Sequence, residues 1–346
     1  MQTTAPEQIA ADAWQDLDDD ALLRHRICDL RLRLPGSAVE PQVRTFHHEL
    51  AERGLVFHPS CYLTTEWLCP DGVPLIGIPF CLAHPRLVRL EKTMMLEVEG
   101  GTPANCMKLL RHEAGHAFNY AYRLYRRTRW RELFGRISEE YDPGTYYPRK
   151  YSRQFVEHLP DNYAQAHPDE DFAETFAVWL TPGLDWRTKY AGRHALKKLE
   201  YVDHLMKEVG QRPPLVSGGK RLWPVNRIRS TLASYYRKKR NAFGQSYPGY
   251  YDEFLKTLFA TGSSGEAASR WLSRHRKRIV QQLAAEARLR KYAIDVVVRR
   301  LVARARELDL CLRYDESETL LRLCIALTAM LCEERAYERS ANGKAY

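Results

Sequence analysis

The chain has 346 residues, carries a formal net charge of +10 at pH 7 and is 45% hydrophobic. This composition supplies enough apolar side chain for a buried core, so it excludes a disordered chain and a collagen-like fibre. The longest nearly charge-free stretch, residues 323–332, is far shorter than the roughly 20 residues that cross a bilayer, so we expect no membrane partner. The acidic first residues lack the apolar core of a secretory signal, and we therefore expect a cytoplasmic protein.

Charge and cysteine patterns predict the domain organisation. The eight cysteines include no C-x-x-C pair, so we interpret them as reduced, packed thiols. Residues 217–300 hold 19 Lys and Arg against 5 Asp and Glu, whereas the preceding residues are mixed. Paired prolines and glycines in 211–220 predict a linker. We expect an N-terminal segment without fixed structure (1–19), a first folded domain (20–210), the linker (211–220) and a basic α-helical domain (221–346).

The first elements in chain order predict a small sheet beside helices. Pro41–Arg53 has a helical pattern. Three short segments rich in β-branched and aromatic residues, punctuated by Pro and Gly, predict strands at Gly54–His58, Tyr62–Leu68 and Val73–Phe80. Long helical patterns follow, so the predicted fold class is α+β.

The segment Thr102–Arg127 carries the most informative motif. Thr102 is a suitable N-cap, and Pro103 suits the first helical position. Inside the helix stands H-E-x-x-H, formed by His112, Glu113 and His116, with apolar residues on the opposite side. Two histidines one turn apart can place nitrogens on a single Zn²⁺. The flanking Glu113 carboxylate can take a proton from a metal-activated water, which makes it the candidate general base.

A second helix is predicted over Ala166–Gly183 and offers the third ligand. Pro168 opens this helix, and Thr181-Pro182-Gly183 ends it. Glu170 and Glu174 lie four residues apart on one face, and the small Ala173 and Ala177 beside them permit a close helix contact. We expect Glu170 to ligate the metal and Glu174 to accept a hydrogen bond from a ligand histidine.

Two histidines compete with Glu170 for the third position. His167 precedes Pro168, and His158 lies upstream, so a different entry of the chain into the helix would give a three-histidine site. Arg123 projects on the same side of the motif helix as His112 and His116. We expect it to hold a carboxylate of a substrate.

The second half of the chain has helical patterns nearly throughout. Ser263 and Glu266 resemble a capping box before a helix through Trp271, Ile279 and Leu283, and a last helix is expected over Glu318–Glu338. Runs such as YYRKKR and SRHRKR leave nucleic acid as a possible partner. We favour a solvated surface, because Lys and Arg side chains commonly cover apolar surface while their charges stay in water.

The pairing of HEAGH with EDFAETF resembles the gluzincin class of zinc metallopeptidases. More narrowly, it is similar to the zinc-binding metallopeptidases of bacteria and to the catalytic domain of lethal-factor-type toxins, over about Thr102–Leu180. The resemblance implies a zincin-like helical core packed on the small sheet, with Glu170 as a zinc ligand and Glu174 supporting a histidine. It also implies that Tyr163, seven residues before the ligand, donates its hydroxyl to the oxyanion. Nearby tyrosines compete for that role, namely Tyr146, Tyr147 and Tyr151.

These observations together predict a zinc-dependent hydrolase that cleaves peptide bonds in a peptide or protein substrate. Two alternatives remain open at this stage. One is a nucleic-acid-associated protein with a zinc protease site, and the other is a zinc-binding protein without turnover. The sequence favours no particular oligomeric state.

Overall fold

The computed structural model describes residues 13–95, 97–139, 149, 152–241, 251–262, 265–287 and 290–342. These residues are mostly helical with a few short strands, which confirms the predicted α+β class. They fall into two compact units, one within Met1–Thr93 and Val98–Ser234 and the other within Met94–Glu97 and Tyr235–Tyr346.

The first unit contains a two-stranded sheet and most of the helices. Its strands are β1 (Ser60–Thr64) and β2 (Leu75–Pro79). Its helices are α1 (Asp19–Leu23), α2 (Glu40–Glu52), α3 (Pro85–Met95), α4 (Pro103–Ala121), α5 (Thr128–Phe134), α6 (Pro168–Leu180), α7 (Trp186–Lys189) and α8 (Ala195–Val209), and α9 (Leu232–Asn241) begins in it.

The sheet is parallel, with a register that runs from Ser60 opposite Leu75 to Thr64 opposite Pro79. All five residues of β2 are buried, as expected for a strand covered on both faces. The predicted strand over Gly54–His58 was wrong. This stretch is extended, but Val56 donates its N–H to the carbonyl of Gly210 at the end of α8 instead of joining the sheet.

Aromatic side chains form the core between the principal helices of the first unit. Phe118 of α4 stacks on Phe176 of α6 with ring centroids 5.0 Å apart. Phe172 packs on the other side against Trp130 and Phe134 of α5. Large rings of this kind contribute much of the apolar area that holds helices together, so this cluster fixes α4 against α6.

Residues at two predicted domain margins lie with the first unit. Trp14 is buried, and Arg86 donates to the carbonyl of Leu17, so residues 13–19 are folded where a segment without fixed structure was expected. In the predicted linker, Leu215 donates its N–H to the carbonyl of Ala121. The observed units divide between Ser234 and Tyr235, and the proposal of a linker at 211–220 between independent domains stays a prediction.

The second unit is helical with one small antiparallel ladder. Its elements are α10 (Asp252–Leu258), β3 (Phe259–Thr261), α11 (Ala268–Ala287), α12 (Lys291–Glu307), β4 (Leu310–Leu312) and α13 (Glu316–Asn342). β3 pairs with β4, Phe259 opposite Leu312. Trp271, Ile279 and Leu283 are buried on α11, in agreement with the predicted helix, and they share a core with α12 and α13.

The last helix was predicted over Glu318–Glu338 and is observed over Glu316–Asn342. Ser263, the first half of the predicted capping box, lies outside the described residues. In the described part of the chain, no helix combines the length and the apolar character that a bilayer crossing requires.

Candidate metal centre

Two well-capped helices, α4 and α6, carry the residues of the site. The Thr102 hydroxyl accepts a hydrogen bond from the Asn105 N–H at the start of α4, as the sequence predicted. The α6 helix begins at Pro168, and the imidazole of His167 accepts from the Asp169 N–H, so a histidine serves as its cap. Both caps satisfy backbone donors that the first helical turn leaves without partners, and they fix where each helix starts.

The two helices approach each other closely at Gly115 and Ala173. A Cβ atom on Gly115 would lie 2.5 Å from the Cα atom of Ala173. Only a residue without a side chain fits there, and Gly115 stands between the two motif histidines. The sequence predicted a close approach from the alanines of α6, and the matching gap on α4 comes from this glycine.

The close approach brings three donor atoms together. The Nε2 atoms of His112 and His116 are 3.2 Å apart, and each lies 3.1–3.2 Å from Oε2 of Glu170. Tetrahedral zinc with ligands at 2.0–2.2 Å separates its donors by about 3.3–3.5 Å, so this triangle has the size of one face of such a site. Within the described part of the chain, the donor group that could hold a metal consists of these three buried residues.

Two carboxylates orient the histidines. Glu174 Oε1 lies 2.8 Å from Nδ1 of His112, and Asp169 Oδ2 lies 2.9 Å from Nδ1 of His116. A carboxylate at Nδ1 keeps the proton on that nitrogen and leaves the Nε2 lone pair for a metal. Both rings therefore point the correct nitrogen at the centre of the triangle.

Asp169 was missed by the sequence analysis. One signal for it was available: two ligand histidines need two supporting acceptors, and only Glu174 had been assigned. Asp169 stands directly before Glu170, and its carboxylate reaches His116 across 53 positions of the chain.

The charges of the site act on one another strongly. Burial opposes a charged imidazole, yet the carboxylates of Glu170 and Glu174 raise the pKa of His112 to about 10. Burial also opposes ionisation of Glu170, but His116 and His112 lower its pKa below the ordinary value. This mutual attraction marks a pocket that favours positive charge at its centre, as a metal cation would supply.

Glu113 lies beside the triangle without joining it. The residue is buried, and burial raises the pKa of its carboxyl to about 7, with the imidazoles of His112 and His116 opposing the shift. A carboxyl whose pKa lies near neutrality can both accept and return a proton. His112 and His116 are only 4% and 8% exposed, so the triangle is well shielded from solvent.

Tyr163 also lies at the triangle. Its hydroxyl donates to Oε1 of Glu170 at 3.3 Å, and its ring centroid is 5.6 Å from that of His112. The competing tyrosines, Tyr146, Tyr147 and Tyr151, lie outside the described residues.

The other candidates lie apart from the donor group. His167 caps α6, and its Nε2 is 3.0 Å from the Glu139 carbonyl oxygen. His158 Nε2 is 2.9 Å from the carbonyl oxygen of Lys108. The α4 helix ends at Ala121, and Arg123 is exposed with a left-handed φ of 51°, so the helical spacing that put it on the histidine face does not apply.

Comparison with known proteins agrees with this geometry. Residues 106–204 match the model of a family described as "Putative zinc-binding metallo-peptidase". The matched range covers under a third of the chain and includes the donor triangle, both supporting carboxylates, Glu113 and Tyr163. No curated protein and no solved structure matches the chain. The predicted zinc cofactor thus agrees with two separate findings, the matched family and the three-residue donor cluster.

Proposed function

We propose that this protein is a zinc metallopeptidase of the gluzincin type, in which His112, His116 and Glu170 hold the metal and Glu113 is the general base. The observation that carries the proposal is the triangle of three donor atoms, each 3.1–3.2 Å from the other two. The family match supports a zinc-dependent peptidase acting on a peptide or protein.

Three protein donors favour catalysis over a purely structural metal. Structural zinc sites are usually closed by four protein ligands, whereas catalytic sites keep one position for water or substrate. The described donor group has three members. This count supports the enzyme over the alternative of a zinc-binding protein without turnover.

The chain's own residues divide the work of hydrolysis. Zinc, when bound, lowers the pKa of water and polarises a carbonyl group. The Glu113 carboxylate would accept the proton from the attacking water and deliver it to the leaving nitrogen. Asp169 and Glu174 hold the two imidazoles, and the Tyr163 hydroxyl would donate to the oxygen that gains charge.

The test is metal analysis combined with the variant Glu113→Gln. Purified protein should contain about one zinc per chain. Glu113→Gln should keep that zinc and lose roughly 10²–10⁴-fold in hydrolysis of a quenched fluorescent peptide library, because the amide cannot accept a proton. His112→Ala should lose both zinc and hydrolysis.

Two results would contradict the proposal. Protein that contains no zinc and takes up none on addition would remove the metal site. A Glu113→Gln variant with full activity would leave the metal and remove the proposed base.

A further inference from the structure

We propose that Asn119 is a positioning residue for zinc that acts on His116 through Asp169, an inference that rests on the proposed function. Asn119 belongs to α4 and is fully buried. Its Nδ2 donates to Oδ1 of Asp169 at 2.6 Å. The other oxygen of Asp169 lies at the imidazole of His116, so Asn119 is one carboxylate away from a metal donor.

The backbone after α4 sets the orientation of the Asn119 amide. Oδ1 of Asn119 accepts the N–H of Tyr125 at 2.9 Å. Tyr125 belongs to the 3-10 turn Leu124–Arg126, which follows Arg123 with its left-handed φ. An amide has one accepting and one donating end, so the turn that occupies the oxygen directs the NH₂ group at Asp169.

A second side chain, that of Tyr120, also donates a hydrogen bond to Asp169. The Tyr120 hydroxyl donates to Oδ2 at 2.7 Å, the same oxygen that lies at Nδ1 of His116. Three groups from α4 thus bind one carboxylate, and both of its oxygens are occupied. A carboxylate held at both ends keeps its direction toward the imidazole, which fixes the ring and the nitrogen that carries its proton.

The carboxylates that support the two histidines receive their second hydrogen bond from different kinds of donor. Glu174, which supports His112, accepts the backbone N–H of Leu159 on its second oxygen at 2.8 Å. Asp169, which supports His116, accepts the corresponding hydrogen bond from the side chain of Asn119. The His116 half of the site can therefore be loosened by substituting a residue that contacts neither the metal nor a metal donor.

The experiment measures zinc affinity by competition with a chromogenic chelator in the full chain. Asn119→Leu keeps the branching at Cγ and removes both hydrogen bonds, and we expect zinc to bind about tenfold more weakly or worse. Tyr120→Phe keeps the ring and removes one donor, so its loss should be smaller. The matched control is Thr175→Val, because Thr175 is equally buried and its hydroxyl donates to the Asp171 carbonyl, away from Asp169 and the donor triangle. We expect Thr175→Val to lose thermal stability and keep wild-type zinc affinity.

The outcomes separate this inference from the proposed function. Asn119→Leu and Tyr120→Phe with wild-type zinc affinity would overturn the inference alone, even if their zinc-free forms melted at lower temperature. Wild-type protein that binds no zinc would overturn both. Far-UV circular dichroism checks that Asn119→Leu folds. If that variant does not fold, Tyr120→Phe tests the support of the Asp169 carboxylate in its place.

Discussion

The Tyr163 hydroxyl stands where it can serve either the metal donor or the substrate. It donates to Oε1 of Glu170, the carboxylate oxygen that is not shared by the two imidazoles. If the hydroxyl turns to the oxyanion during reaction, Tyr163→Phe should lower kcat by roughly 10²–10³-fold. KM and zinc content should stay close to wild type, and both are measured with the same peptide library and metal analysis.

A matched control removes a different hydroxyl. Tyr122 donates to the carbonyl of Arg212, and Tyr122→Phe should leave kcat unchanged. If Tyr163→Phe loses zinc in proportion to its loss of activity, then the hydroxyl supports Glu170 and does not act on the substrate.

Each carboxylate oxygen of Glu174 has its own hydrogen-bond partner. Oε1 lies at the His112 ring and Oε2 accepts the Leu159 N–H. A glutamine has only one acceptor atom, so Glu174→Gln must give up one of these bonds. We expect zinc affinity to fall roughly 10–100-fold, measured by chelator competition.

The control for Glu174→Gln is Glu200→Gln, which removes an exposed carboxylate from α8. It should leave zinc affinity as in wild type. If Glu174→Gln binds zinc as tightly as the wild-type protein, then His112 needs no acceptor at Nδ1.

At the residue scale, local spacing predicted the donors, and tertiary contact decided the rest. His112 and His116 follow from a four-residue repeat on one helix, and Glu170 follows from a face on a second helix. Asp169 could be found only by asking what supports His116. The direction assigned to Arg123 assumed that α4 continued, whereas the helix ends at Ala121 and Arg123 itself has a left-handed φ, so its substrate-binding role stays a prediction.

The separation of α4 and α6 depends on the absence of a side chain at Gly115. A methyl group there would meet the Cα, carbonyl carbon and carbonyl oxygen of Ala173 at 2.5–3.1 Å. Backbone cannot rotate away as a side chain can, so Gly115→Ala must push the helices apart. We expect a loss of roughly 1–3 kcal/mol in the free energy of unfolding, measured by chemical denaturation of the zinc-free protein.

Separating the helices should also weaken zinc binding, because Glu170 lies on α6 and the two histidines lie on α4. Gly218→Ala is the control, since a Cβ at Gly218 meets nothing within 4 Å. It should change neither stability nor zinc affinity appreciably. A Gly115→Ala protein with wild-type stability and zinc affinity would show that the helix contact can relax at no cost.

At the element scale, helix ends were predicted well and strands less well. Thr102 with Pro103, and Pro168 with Thr181, mark helix ends through local chemistry that the sequence displays. Residues 54–58 have the composition of a strand, but Val56 donates its N–H to Gly210 at the end of α8. Strand formation needs a partner, and the choice of partner is a tertiary event.

At the scale of the whole molecule, several arginines of the basic second half form ion pairs with acidic residues of the same unit. The buried carboxylate of Asp295 pairs with Arg276 and Arg299. Arg304 forms two short hydrogen bonds to Asp252 at 2.6 and 2.7 Å. The preference for a solvated surface over nucleic-acid binding stays a prediction.

The position of the division between the units was less accessible to the sequence. The α8 helix ends at Val209, shortly before the Pro and Gly residues of 211–220, which suit irregular chain. The chain beyond them nevertheless stays with the first unit: the Tyr62 hydroxyl donates to the Leu222 carbonyl, and Thr64 donates to the Trp223 carbonyl. Composition marks where regular structure stops, and hydrogen bonds far apart in the chain decide which unit a segment joins.

The last prediction concerns the independence of the first unit. A chain that ends at Asn241 retains the donor triangle, Asp169, Glu174 and the aromatic cluster around Phe118 and Phe172. We expect this fragment to fold, to unfold in one cooperative transition and to bind one zinc with the affinity of the full chain, because each of those groups has its contacts within the first unit. Calorimetry and metal analysis measure both properties. The full chain should show an additional transition, since the second unit has its own core, with members from Tyr251 to Leu331. A fragment that melts without cooperativity, or that loses zinc while the full chain keeps it, would mean that the two units fold as one domain.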